Sequence, residues 1–214
     1  MMNDLLLLIF QFLVFIFSVM VHEVSHGLMA LKLGDDTAKD LGRLNLNPAK
    51  HLDFFGSFVL PFILVITNSP VIFGWAKPVP YNPNNLKNPK IGAALIGAAG
   101  PLSNIFIAVI FGILLRLAGP AVELNPNLAP LILFFNVIIF INLLLAVFNL
   151  VPIPPLDGSK LLFALLPSQS YRLQRLLEQY GLVILLLFLF IGFGLLIPII
   201  QGLHAVLVGR WLTL

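Results

Sequence analysis

The run Val21-His22-Glu23-Val24-Ser25-His26 sets two imidazoles four positions apart, with a carboxylate beside the first. On a helix, positions i and i+4 share one face. His22 and His26 can therefore both reach one tetrahedral zinc ion at about 2.0–2.1 Å. Glu23 is offset by one position, where it can touch a metal-bound water rather than the metal. This is the H-E-x-x-H pattern of metal-assisted hydrolysis. In a water-soluble chain the pattern alone is weak, since two helix-face histidines and a solvated Glu give the same five residues. Here the preceding stretch Leu5–Val21 is free of charge, and as a helix it covers about 26 Å at about 1.5 Å per residue. A carboxylate at such a depth in an apolar helix costs about 2.5 kcal/mol or more and is functional by default.

A zinc catalyst takes three protein ligands and keeps one open position. His51 and His204 lie in polar or terminal contexts, and Glu123 and Glu178 in connecting segments. Asp157 differs. It stands next to last in the run Phe148-Asn149-Leu150-Val151-Pro152-Ile153-Pro154-Pro155-Leu156-Asp157-Gly158. The prolines break the helix and the glycine permits a tight turn, a geometry that can present one carboxylate to a packed interior. The same Asp can instead cap a helix starting near Ser159, and the residues alone leave both readings open. Asn104 and Asn149 are neutral amides within apolar stretches. They can donate to a substrate backbone or an oxyanion, or satisfy the carbonyls of unwound helix.

The elements that hold these groups are built for lipid. Of 214 residues, 59% are apolar and 10% charged, against about 25% charged in an average soluble domain. So few charges cannot cover a water-soluble fold of this size. The formal net charge of +3 comes without clustered Lys and Arg interleaved with aromatics, so no nucleic-acid partner is expected. The absence of cysteine excludes disulfides and thiolate metal sites. Five stretches, Leu5–Leu31, Phe54–Phe73, Ile91–Leu115, Leu128–Val151 and Gly181–Ile200, compare with the roughly 20 residues that cross a bilayer core. Leu203–Leu214 is short enough to lie in the interface. The first stretch has no basic leader and no clear small-residue cleavage site, so it is expected to be retained. The expectation is an all-α polytopic membrane protein, one domain over residues 1–214, with about four to six transmembrane segments.

Lys and Arg mark the cytoplasmic side. Lys32, Lys39, Arg43 and Lys50 follow the first stretch, Lys77, Lys87 and Lys90 precede the third, and Lys160, Arg172 and Arg175 follow the fourth. If these connections share a side, ten of the twelve basic residues are inside. The chain must then leave and return to that side between Lys32 and Lys90. Phe54–Phe73, interrupted by Pro61 and by Asn68-Ser69-Pro70, becomes a re-entrant hairpin, or a crossing paired with a partial entry by Gly74–Pro83. That second run, Gly74-Trp75-Ala76-Lys77-Pro78-Val79-Pro80-Tyr81-Asn82-Pro83, is too rich in proline for a helix. It reads as an extended edge or loop, which survives at membrane depth only when buried in protein or lining a wet cavity. Trp75–Val79 suits strand addition to an unwound peptide. It equally suits an interfacial loop anchored by Trp75 and Tyr81. Gly92, Ala93, Ala94, Gly97, Ala98, Ala99 and Gly100 form a small-residue face for close packing on a neighbouring helix.

His22-Glu23-Val24-Ser25-His26 and the later Asn149-x-x-Pro152-x-x-Pro155-Leu156-Asp157-Gly158 together resemble the site-2 protease family of intramembrane zinc metalloproteases. Gly74–Pro80 is similar to the loop after the first motif in the compact bacterial and archaeal members. Gly100-Pro101-Leu102-Ser103-Asn104 resembles the G-P-x-x-N motif of their central helix. The resemblance runs from about Val21 to Leu162. It implies one zinc ion per chain, held by His22, His26 and Asp157, with Glu23 as the acid/base. It also implies a site within the membrane near its cytoplasmic face, transmembrane protein substrates, and residence in the cell membrane of a prokaryote. No PDZ or CBS module fits the short soluble segments. The competing reading is a metal-binding membrane protein without protease activity, such as a transporter or an inactive homologue. Transporters tend to repeat a site across related halves, and no second H-E-x-x-H-like half is present. An inactive homologue would usually lose the Glu, and Glu23 is present. Of nine acids, seven fall at termini or in connections, which leaves Glu23 and Asp157 joined to apolar structure.

Overall fold

A computed structural model of the chain describes residues 2–51, 53, 56, 59, 62, 63, 66, 67 and 77–209. The uncharged N-terminal run forms one helix, α1 (Met2–Lys32), that ends in the first polar connection. Gly34 follows it at φ +101°, a conformation that glycine adopts without the Cβ penalty. Two single-turn helices, α2 (Thr37–Asp40) and α3 (Pro48–His51), continue the connection. Residues 77–82 have no helix or strand pairing and lead into a 3-10 turn at Pro83–Asn85.

The central helix, α4 (Pro89–Leu124), starts sharply. The Asn88 side chain accepts from the Ile91 amide at 3.2 Å, and Pro89 occupies the first helical position, where its missing N–H costs nothing. Then follow α5 (Ala129–Asn149), α6 (Asp157–Leu165) and α7 (Tyr171–Leu187). A π-helical turn at Phe188–Gly192 and a 3-10 turn at Phe193–Leu195 join α7 to α8 (Leu196–Val208). Among the described residues, four helical runs are long and apolar enough to cross a membrane: Leu5–Lys32, Pro89–Ala121, Ala129–Asn149 and Tyr171–Val208. The described chain is thus an all-α integral membrane protein, with no β-strand among the described residues.

Two boundaries differ from the sequence expectation. The last apolar stretch is helical from Tyr171 to Val208, so Leu203–Val208 continues the same helical run as Gly181–Ile200. The polar Tyr171–Tyr180 segment is recruited because helical backbone satisfies its own amides wherever it meets lipid. The expected re-entrant stretch Phe54–Phe73 falls largely outside the described residues, as does Gly74–Ala76.

Helix α4 packs against α1, α5 and α6 and is the hub of the fold. Its small-residue face does the positioning, because in lipid the close approach of backbones holds helices together. A Cβ added at Gly97 would lie 3.2 Å from the Asp157 carbonyl oxygen, and one at Gly92 would lie 2.8 Å from Leu86 Cδ1. Farther along, Ala108, Leu115, Ile139, Leu143, Leu196, Ile200 and Val208 make a buried core where α4, α5 and α8 meet. Phe12, Phe106 and Phe190 are exposed on the outside, where acyl chains rather than water meet them.

Candidate active site

Helix α1 brings His22 and His26 to one buried face, with ring centroids 4.6 Å apart and planes at 87°. The turn after α5 delivers Asp157 to the same point. Asp157 Oδ2 lies 3.1 Å from His22 Nε2 and 3.1 Å from His26 Nε2. The turn closes this tightly because of Gly158, where a Cβ would stand 2.2 Å from the Leu150 carbonyl oxygen. The carboxylate caps nothing: the helix begins at Asp157 after Leu156, with no side-chain cap hydrogen bond. Its other oxygen, Oδ1, accepts from Lys160 Nζ at 2.9 Å.

The outer nitrogens settle which atoms face the centre. His26 Nδ1 lies 2.6 Å from the Ile96 carbonyl oxygen, which can only accept, so Nδ1 carries the proton. His22 Nδ1 lies 2.6 Å from Asn104 Oδ1. The Asn104 amide nitrogen donates to the Ser18 carbonyl at 3.2 Å and to Asn142 Oδ1 at 2.9 Å. Asn142 in turn donates to Ser18 Oγ and to the Ile138 carbonyl. These acceptors fix both amides, so His22 Nδ1 is also the protonated nitrogen.

In the neutral imidazoles both Nε2 atoms then present lone pairs, and Asp157 Oδ2 presents another. These three atoms converge as electron-pair donors, an arrangement that a cation stabilises. Tetrahedral zinc ligands at about 2.0–2.1 Å stand about 3.3 Å from one another, close to the spacing seen. Space for an ion is reserved by Gly100, where a Cβ would lie 2.5 Å from each Nε2. The donor set and the gap fit zinc. One ligand atom each of His22, Glu23 and His26 also lie within 4.8 Å of one another.

Glu23 belongs to this centre through a different contact. Its Oε2 accepts from the Val79 amide at 2.9 Å, so the extended 77–82 stretch lies against α1. Trp75 and Ala76, part of the stretch expected to add a substrate strand, lie outside the described residues. In the remainder, Val79 N–H is the only amide between Pro78 and Pro80, and Glu23 takes it. The carbonyls of Lys77 and Pro78 accept from Arg43 Nη2 at 2.8 and 3.3 Å.

Two residues here escaped the sequence reading. Arg43 is only 9% exposed. Asp35, one of the seven acids assigned to ordinary connections, is fully buried. Its carboxylate accepts from the Asn82 amide at 2.7 Å, Asn85 Nδ2 at 2.7 Å and Thr37 Oγ1 at 2.5 Å. Burial alone would raise its pKa, but these donors hold it below the ordinary carboxylate value. Spacing offered no signal for either, because the partners that bury them, Asn82 and Asn85 for Asp35 and Lys77 and Pro78 for Arg43, lie more than thirty residues away in sequence.

Asn104 and Asn149 occupy different places. Asn104 is completely buried behind His22, with both ends of its amide committed, so it has no access to a bound peptide. The expected substrate or oxyanion role does not match that position, and the cause is its partnership with His22 and Asn142. Asn149 lines a cavity of about 340 Å³ together with His22, Glu23, His26, Asp157 and Lys160. Its Nδ2 also donates to the Leu145 carbonyl one turn back at 2.9 Å. His204 sits on α8, away from the cavity lining.

Comparison with known proteins shows which family the chain is similar to. The model of peptidase family M50 matches residues 123–191, the part that carries Asn149 and Asp157. Over 173 residues the chain is 40% identical to YwhC of Bacillus subtilis, a protein named as a candidate zinc metalloprotease, covering 80% of this chain and 75% of that one. Rip2 of Mycobacterium tuberculosis, named in the same way, is 29% identical over 169 residues, covering 79% of this chain and 62% of that one. A zinc metalloprotease of Methanocaldococcus jannaschii is 39% identical over 85 residues, which is 40% of this chain and 23% of that protein. No solved structure gives a significant match.

Proposed function

The chain belongs to peptidase family M50, and on that premise we propose that it is an intramembrane zinc endopeptidase. Its substrates are the membrane-spanning segments of other proteins, cut near the cytoplasmic face of a prokaryotic cell membrane. The observation that carries this reading is the meeting of His22 Nε2, His26 Nε2 and Asp157 Oδ2 beside Gly100, at the end of an apolar spanning helix. These three atoms would hold the ion.

When bound, zinc supplies a Lewis acid and lowers the pKa of a water towards about 7. The rest falls to the protein. Glu23 Oε2 is tied to Val79, which leaves Oε1 to take a proton from the attacking water and return it to the leaving amine. Asn104 and the Ile96 carbonyl hold the imidazoles in the tautomer that ligation needs. Asn149, in the cavity lining, has a second amide proton for a bound peptide. The cavity, lined by both polar and apolar side chains, is where an unwound stretch of peptide would bind.

The depth of the site follows from α1. About 26 Å of uncharged helix precede His22, and Lys32 follows soon after. With Lys and Arg on the cytoplasmic side, the ligands lie inside the bilayer close to that face. The test is reconstitution of the purified protein with a single-span substrate. Cleavage within the apolar segment, lost on chelation and restored by zinc, is expected. Metal binding without cleavage of any single-span substrate panel would point to the non-proteolytic alternative.

A further inference from the structure

The Pro78–Val79 peptide group stands between a cation and an anion. Its carbonyl oxygen accepts from Arg43 Nη2 at 3.3 Å, and its amide donates to Glu23 Oε2 at 2.9 Å. A trans peptide is planar, with C=O and N–H pointing in opposite directions. The guanidinium therefore sits at the negative end of the peptide dipole and the carboxylate at its positive end. Each charge strengthens the hydrogen bond made by the other, because both polarise the same amide.

We propose that Arg43 is a positioning residue for Glu23, acting through this peptide. The proposal rests on the reading of Glu23 as the general base. Three further observations support it. First, Arg43 is buried without an ion-pair partner among the described residues. Its guanidinium donates only to main-chain carbonyls, those of Lys50, Lys77 and Pro78, and its Nε has no partner among the described residues. Burying a guanidinium on carbonyls alone is costly, so its place is dictated by the segment it holds. Arginine suits the task, since its planar fork reaches several acceptors at once.

Second, the segment offers few amides to Glu23. Pro78 and Pro80 carry no N–H, so a slip of one residue in either direction would leave Glu23 without the amide that Val79 supplies. Third, the Val79 side chain is seated next to the metal helix. It is 7% exposed, and a Cβ added at Gly27 would lie 2.9 Å from Val79 Cγ1. Gly27 adjoins His26, so the gap that admits Val79 is set by the helix that bears the ligands. Asp35 pins the far end of the segment at the Asn82 amide. Arg43 then sets the near end and the tilt of the peptide that fixes Glu23 Oε2.

Loss of this hold frees the base while leaving the metal ligands untouched. The experiment uses the full chain in detergent and, for turnover, reconstituted with a single-span substrate. Hydrogen exchange at the Val79 amide is the readout that needs no activity. It is expected to be slow in the wild type and at least roughly tenfold faster in Arg43→Gln and in Glu23→Ala. In Arg43→Gln, kcat is expected to fall roughly 10–100-fold, the range typical of an outer partner of a metal site, with KM and zinc content unchanged. Arg43→Lys keeps the charge but loses the fork, and is expected to recover part of both effects. Val79→Pro removes the amide itself, and combined with Arg43→Gln it should cost no more than either change alone.

Unchanged Val79 exchange and unchanged kcat in Arg43→Gln would overturn the proposal. So would loss of zinc together with activity in that variant, which would mark a general role in the fold. If Arg43→Gln does not fold, Arg43→Lys decides: wild-type exchange and wild-type kcat in it would overturn the proposal. Cleavage that survives Glu23→Gln would instead sink the general-base reading. The exchange measurement separates the two failures, because it reports on the clamp whether or not Glu23 is the base.

Discussion

Asn104 Oδ1 accepts a hydrogen bond from His22 Nδ1 at 2.6 Å, so the amide stands behind the imidazole and not in the lining of the cavity. Its own donors hold Ser18 and Asn142, which ties α1, α4 and α5 into one polar knot inside an apolar bundle. Removing it frees His22 to rotate and takes a partner from the His22 Nδ1 donor and from two buried acceptors, the Ser18 carbonyl and Asn142 Oδ1. Asn104→Ala is expected to weaken zinc binding by roughly 10–100-fold, read by competition with a chelator. Asn149→Ala should leave that affinity unchanged, since Asn149 bonds only the Leu145 carbonyl. Equal affinities of Asn104→Ala and the wild type would contradict the positioning role.

Gly100 provides a second test of the metal centre. A methyl group there would lie 2.5 Å from both Nε2 atoms, inside any normal contact distance. Gly100→Ala is therefore expected to abolish stoichiometric zinc binding while the helical circular dichroism remains. Full zinc occupancy in the variant would show that the ion sits elsewhere.

Asp157 carries the claim about the third ligand. Asp157→Ala removes one of three converging donors and leaves two imidazoles, a set too small for a stable zinc site. Zinc content after dialysis is expected to drop well below one per chain. A stoichiometry unchanged from the wild type would remove Asp157 from the ligand set.

How much of this was legible in the sequence depends on how far each residue's partners lie along the chain. His22, Glu23 and His26 could be read because helix periodicity alone puts them together. Asp157 could be narrowed to two roles because prolines and a glycine mark its turn, but only the fold turns its carboxylate toward α1. The small-residue face of α4 was visible as composition, whereas its division of labour was not: Gly97 against Asp157, Gly100 against the imidazoles. Asn104 looked like a free amide donor because its partners, 82 and 86 residues away, leave no trace in local spacing. Asp35 and Arg43 looked like solvated connection residues for the same reason. Charge in a connection reads as surface until the fold shows a segment lying across it.

Asp35 predicts a pH dependence of stability. Its folded pKa is depressed, so its contribution is present above the unfolded carboxylate value, about 3.9, and is lost as pH falls through the folded value. At neutral pH, Asp35→Ala is expected to destabilise the protein by about 1–3 kcal/mol, the cost of leaving buried donors unsatisfied. Thermal unfolding in detergent should show the gap between wild type and variant shrinking below about pH 4. A gap that stays constant down to acid pH would contradict the assignment.

The most direct test of a zinc protease with Glu23 as its base is the pair of measurements on Glu23→Gln. Zinc content and cleavage of a reconstituted single-span substrate are compared with the wild type in the same vesicles. Because Glu23 bonds Val79 and is not among the three converging donors, the variant should retain one zinc per chain and lose cleavage by at least about 100-fold. Cleavage at the wild-type rate with zinc retained would contradict the account.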